Sequence, residues 1–204
     1  SEPGTDLDAL VAAADMADEL NIVESERWRR VLADLPDLAI GPDGVLAIAP
    51  GEALAESHRH FSHLAALYPL GDIDPFRSAA EARIARASIA QLDLLGSSMW
   101  MGYSFAWLAC LKARIGDGNG ALAALRAYAN AFLLPNSFHA NGDFANKGYS
   151  SAVFRAFTLE GNFGAAQAVH EMLLQSHNGT IRLFPAIPAD WHDVSFERLL
   201  AQGA

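Results

Sequence analysis

Three short segments of this chain carry the side chains that could do chemistry. The densest is Ser57-His58-Arg59-His60-Phe61-Ser62-His63-Leu64, where three imidazoles and a guanidinium crowd a span that is expensive to bury. On a helix, His60 and His63 would share one face. Imidazoles at that spacing can ligate zinc, but such a site needs further ligands and Glu56 is the only close carboxylate. The same groups can instead form a hydrogen-bonded structural cluster. They can also form a wall on which His58, Arg59, His60 and His63 grip the hydroxyl groups of a substrate. The second segment is Phe157-Thr158-Leu159-Glu160-Gly161-Asn162-Phe163-Gly164. Here Glu160 can accept a proton, Asn162 can hold a water or a hydroxyl group, and the glycines let the backbone approach a ligand. The competing reading is that Glu160 and Asn162 only satisfy the start of the next helix. The third is Asn141-Gly142-Asp143, just after His139, where Asn141 is a candidate polar contact set against an ordinary turn. Trp100, Tyr103, Trp107 and Tyr149 offer flat faces for stacking on a sugar ring, or for packing a core.

The elements that must position these groups are mostly helical. Thr5, with Asp6 and Asp8 behind it, can start a helix along which Leu7, Leu10, Val11, Ala14 and Ala17 recur at helical spacing. Ser25 caps a second helix running to about Leu35. Gly41-Pro42-Asp43-Gly44 reads as a turn before a short extended run, Val45–Ile48. Further helices are expected over Arg77–Leu95, Met99–Ile115, Ala121–Leu133 and Gly164–Gln175. Gly116-Asp117-Gly118-Asn119-Gly120 is read as a tight turn, and Leu134–Thr158 as a long irregular loop. Strand character is confined to Thr180–Phe184, near the C-terminus. A helical bundle and an α/α barrel fit this order equally well.

Composition narrows the partners. With 14 Lys and Arg against 24 Asp and Glu, the formal net charge is −10. No basic run offers a nucleic acid its usual electrostatic footprint. No apolar stretch reaches membrane-spanning length, and the first residues lack the basic start and apolar run of a signal peptide. The sequence is 51% hydrophobic, enough for a real core. The lone Cys110, inside an apolar helix, reads as a small buried hydrophobe. Nothing calls for a cofactor.

Five ordered motifs resemble glycoside hydrolase family 95. His58-Arg59-His60-Phe61-Ser62-His63-Leu64 with Leu67-Tyr68-Pro69 is similar to its H-R-H-x-S-H-L…L-Y-P, and Gly102–Trp107 to its G-W-S-x-A-W. Ala113–Gly118 resembles A-R-L-x-D-G. Glu160–Gly164 with Glu171–Ser176 resembles D-G-N-F-G…E-M-L-L-Q-S, and Leu183–Pro188 with Trp191 resembles L-L-P-A-L-P…W.

The resemblance implies a mostly α fold, part of an (α/α)6 barrel over residues 1–178, with the start of a β-rich segment at 179–204. It implies an inverting hydrolase of α-L-fucosides or related α-L-galactosides, with an oligosaccharide or glycoconjugate as substrate. Glu160 then stands where the family has the aspartate base, one methylene longer. Arg59 and His60 bind the sugar, and Asn162 orients the base or the water. The general acid and the asparagines that assist the base fall upstream of the histidine motif, before Ser1. On this reading the chain is a piece of a longer enzyme, inactive alone, prone to self-association through uncovered barrel faces, and compatible with a secreted or periplasmic parent. Tyr103 replaces a tryptophan, and an E-W pair expected before the histidines is absent from Val45–Pro50. Two other readings stand beside it: a carbohydrate-binding module without catalysis, and a structural helical domain. The hydrolase reading requires Glu160 and the Arg59–His60 group to face a common sugar-sized hollow.

Overall fold

The structure is a computed structural model that describes residues 6–20, 22 and 25–201, the side chains of 6–10 and 12 aside. The proposed cap Thr5 lies outside the described residues. Among them are six α-helices: α1 (Asp6–Glu19), α2 (Ser25–Ala33), α3 (Ala79–Leu95), α4 (Gly102–Arg114), α5 (Gly118–Phe132) and α6 (Glu160–Leu173). Two small antiparallel sheets complete the fold. In one, β1 (His139–Ala140) pairs with β2 (Phe157–Thr158). In the other, β3 (Leu174–His177) pairs with β4 (Thr180–Leu183), with Leu174 opposite Leu183 and His177 opposite Thr180. None of these helices is long and apolar enough to cross a membrane.

Local chemistry sets the helix boundaries. Ser78 caps α3, its hydroxyl accepting from the Glu81 N–H. Helix α5 starts three residues earlier than hydrophobic spacing predicts. The Asp117 carboxylate accepts from the Gly120 N–H at 2.8 Å, so Gly118 and Gly120 form a first turn and not a loop. The chain reverses at Gly116 instead, whose φ of +75° suits a residue without a side chain. Gly118 must also stay bare, because a Cβ there would fall 2.5 Å from the Ala186 carbonyl oxygen. Helix α6 likewise begins four residues ahead of the expectation, at Glu160, and Gln175 leaves it for β3. The β1–β2 pair in the middle of the chain was not legible, since two-residue strands carry no periodicity.

Helices α4 and α6 run side by side in the same direction, with α5 antiparallel to both. Small residues let α4 and α6 close up: Ala106, Cys110 and Ala168 are buried, and a Cβ on Gly164 would sit 3.2 Å from the Ala106 Cβ. Burial pushes the Cys110 thiol up to about 12, which leaves it an inert packing group. An aromatic chain fills one end of the core, with Phe61 on Trp100 (5.0 Å between centroids), Trp100 on Phe105 (5.1 Å) and Phe105 on Phe132 (5.1 Å).

The opposite end is held by buried charge. Arg114 at the end of α4 donates from Nε to Glu171 Oε2 at 2.7 Å and from Nη2 to Oε1 at 3.2 Å, and its guanidinium lies 5.1 Å from the Tyr68 ring centroid. Gln175 donates to the Ala113 and Glu171 carbonyls. The β3–β4 hairpin is pinned by Arg182 donating to Asp74 at 2.8 Å and by Asn178 donating to the Gly71 carbonyl at 2.8 Å. Burial works to raise the Asp74 carboxyl, but the Phe76 N–H and Arg182 outweigh it and hold the group below its ordinary range.

Candidate active site

The first turns of α4 and α6 lie together at the aromatic end of the core. Glu160 occupies the first turn of α6, exposed to solvent, where a negative charge is stabilised by the helix dipole. It does not cap the helix: the N-cap is Leu159, which makes no side-chain cap. Among the described residues no ion pair or hydrogen bond engages its carboxylate. Its charge reaches inward, helping to raise the phenols of buried Tyr128 and of Tyr103, after burial itself.

The histidine segment is anchored at the same end. Phe61 is fully buried in the aromatic chain, so the three residues before it, His58, Arg59 and His60, are displayed at the surface. Pegs hold the strip on either side. The Ser57 hydroxyl donates to the Gly96 carbonyl at 2.8 Å, and the Ser104 hydroxyl, in the first turn of α4, donates to the Arg59 carbonyl at 2.7 Å. His58 Nδ1 accepts from the His60 N–H at 3.1 Å, and the two rings meet edge to face at 5.5 Å. The Arg59 guanidinium is exposed and makes no ion pair among the described residues.

The expected shared helix face does not form. Only Ser62–Leu64 is helical here, as one 3-10 turn, because burying Phe61 and Leu64 fixes the chain ahead of any longer helix. His63 therefore parts from His60. It lines an apolar hollow of about 200 Å³ with Leu46, Ile48, Ala66 and Leu70. Neither Arg59 nor Glu160 lines that hollow. Burial pushes His63 down to about 4. Among the described residues no three His, Cys, Asp or Glu side chains gather as metal ligands would.

The remaining candidates divide between loop and core. Asn162 spends its carboxamide on the loop before β1, accepting from the His139 N–H at 2.9 Å and donating to the Ser137 carbonyl at 2.8 Å. Asn141 sits over the start of α4, its carbonyl accepting from the Gly102 N–H at 3.0 Å. Trp107 packs on the core: its indole N–H donates to the Tyr68 carbonyl at 3.1 Å and its ring lies against Phe61 and Tyr103. Glu160, in the first turn of α6, and Arg59, whose carbonyl is held by the first turn of α4, thus stand at the same end of the two helices.

Several residues that build this end were given no positioning role by the sequence reading, although it noted Asp143 and His139 beside Asn141. Asp143, fully buried, accepts from the Lys147 and Tyr149 N–H groups at 2.9 Å each and so shapes the long loop. Ser97 and Ser150 stitch that loop to the turn before α4, donating to the Tyr149 and Trp100 carbonyls at 2.7 and 2.6 Å. His139 lies wholly buried between the two helix starts. The sequence reading noted it beside Asn141-Gly142-Asp143, and the signal for its place between the helices is a glycine in the first turn of each, Gly102 and Gly161.

Residues 6–173 match the sequence model of the glycosyl hydrolase family 95 catalytic domain. The chain belongs to glycoside hydrolase family 95. A relative, alpha-L-fucosidase 2 of Arabidopsis thaliana, is 30% identical over 200 residues, covering 95% of this chain and 23% of the relative. The chain thus spans about a quarter of the length of the relative it matches. The family match encloses both the histidine strip and Glu160, and the mostly helical fold is in keeping with a family 95 catalytic domain.

Proposed function

We propose that this chain forms part of the (α/α)6 catalytic barrel of an enzyme that hydrolyses α-L-fucosides, or related α-L-galactosides, with inversion. What supports the reading is that an exposed Glu160 carboxylate and the displayed Arg59 and His60 stand at one end of the helices. Inversion needs a base and an acid about 6.5–9.5 Å apart, with a water between the base and the anomeric carbon. Glu160 takes the proton from that water while Arg59 and His60 bind sugar hydroxyls. Asn162 acts by holding the adjoining loop. The acid comes from sequence outside this chain, so the 204-residue chain alone has little or no activity. The fold through residue 178 then belongs to the barrel, and the segment from 179 opens a β-rich continuation.

The test is turnover of an aryl α-L-fucoside by the full-length protein, with the anomer of the released sugar followed by NMR. β-L-Fucose should appear first, and Glu160→Gln should lower kcat by about 100-fold or more. Initial release of the α-anomer, or a Glu160→Gln variant as fast as wild type, removes the reading. The extra methylene of Glu160 supports one alternative, a drifted module that binds carbohydrate without cleaving it. Glu160→Asp separates the two: activity gained marks a drifted enzyme, and none in either form marks a binding module.

A further inference from the structure

Glu160 is carried on the first turn of α6, so its place is set by whatever fixes that turn against α4. His139 fills the gap between them. A Cβ on Gly102 would fall 2.7 Å from the His139 Cδ2, and one on Gly161 would fall 2.6 Å from its Nδ1. The Thr158 hydroxyl hydrogen-bonds Nδ1 at 2.6 Å, and the Asn162 carboxamide oxygen accepts from the His139 N–H at 2.9 Å. Thr158 and Asn162 stand two residues before and two after Glu160, so Thr158 ties the buried imidazole, and Asn162 the His139 backbone, to the segment that carries the carboxylate. The Tyr128 ring closes the site from α5, 5.5 Å from the imidazole.

His139 Nε2 is buried and finds no hydrogen-bond partner among the described residues. Leaving it so costs free energy that an apolar side chain of similar shape would not. Packing alone therefore does not account for a histidine here. We propose that His139 is a positioning residue for Glu160, its imidazole clamping the first turn of α6 to that of α4 through the Thr158 bond and its packing on Gly102 and Gly161, so that the carboxylate faces the Arg59 end, without itself touching substrate. The proposal rests on the hydrolase reading of Glu160. Burial lowers the imidazole pKa while the Glu160 charge pulls it back up.

Two measurements test it. In the full-length protein, His139→Phe keeps the volume but loses the bond to Thr158, and His139→Gln keeps a neutral polar group. His139→Phe should lower kcat on an aryl α-L-fucoside by about 10- to 100-fold with KM changed less than about threefold, and His139→Gln should recover much of the loss. A folded His139→Phe variant with wild-type kcat overturns the proposal. In the 204-residue chain, imidazole titrations followed by 15N NMR are compared between wild type and Glu160→Gln. The His139 titration should move to lower pH in Glu160→Gln, with exposed His170 and His192 as internal references, and an unmoved His139 titration also overturns the proposal. If wild type shows no turnover, the hydrolase reading fails, and the NMR comparison still decides whether His139 and Glu160 are coupled.

Discussion

The two ends of the α4–α6 pair spend their charges in opposite ways. At the closing end, Arg114 and Glu171 each expose 7% of their side chains and are bound to one another, and Asp74, 2% exposed, holds Arg182. At the opening end, Arg59 and Glu160 stand in solvent with no ion pair among the described residues. Neutral contacts fix where they stand, among them the Ser104 hydroxyl on the Arg59 carbonyl and the Asn162 carboxamide on the loop before β1. A buried charge must be paired, so the first set is committed to structure. A charge left open on a rigid turn stays available to a ligand. Both ends belong to the same two helices, and what separates them is burial.

The contrast can be broken most directly at Arg114. Arg114→Ala leaves Glu171 buried and unpaired and should cost about 3–5 kcal/mol, a fall in melting temperature on the order of 10 °C for a chain of this size. Replacing both partners with apolar residues, Arg114→Met with Glu171→Leu, should restore most of it. A loss under about 1 kcal/mol for the single variant would mean that this end is no lock.

A smaller effect is expected in acid. The unfolded chain protonates His63 near its ordinary 6.5, whereas the folded chain resists until about 4. The unfolded state thus binds more protons between those values, and stability declines as pH falls from 6.5 toward 4. Buried His139 and His177, both lowered chiefly by burial, add to the same slope. Melting temperatures at pH 7.5 and 5 should differ less in His63→Phe than in wild type, and an equal slope would show that His63 is hydrated in the folded state.

The smallest stability effect belongs to the opening end. Arg59→Ala should change folding free energy by no more than about 0.5 kcal/mol, while lowering fucoside turnover by the full-length protein at least tenfold. Unfolding on the scale of Arg114→Ala would erase the distinction between the ends.

Much of the architecture was readable because helical periodicity and capping are local. The helix expected over Arg77–Leu95, found over Ala79–Leu95, and the strand expected over Thr180–Phe184, found over Thr180–Leu183, needed only neighbouring residues. Where the reading missed, a distant partner decided the outcome. Gly118 and Gly120 looked like a turn until the Asp117 cap and the close approach of Ala186 made them a helix start. His60 and His63 looked like neighbours on one face, but the buried Phe61 between them turned one to the surface and the other toward the hollow at Leu46.

The sequence by itself determined the helical class and the family, and it displayed the polar residue types of the two motifs, because motifs and periodicity are written in residue order. Only the tertiary structure decided which charges are locked and which are open, and that Gly102 and Gly161 leave room for one histidine between two helix starts. Burial and hydrogen-bond partners depend on residues far apart in the chain, such as Arg114 with Glu171 or Ser104 with Arg59, whose pairing no local pattern encodes.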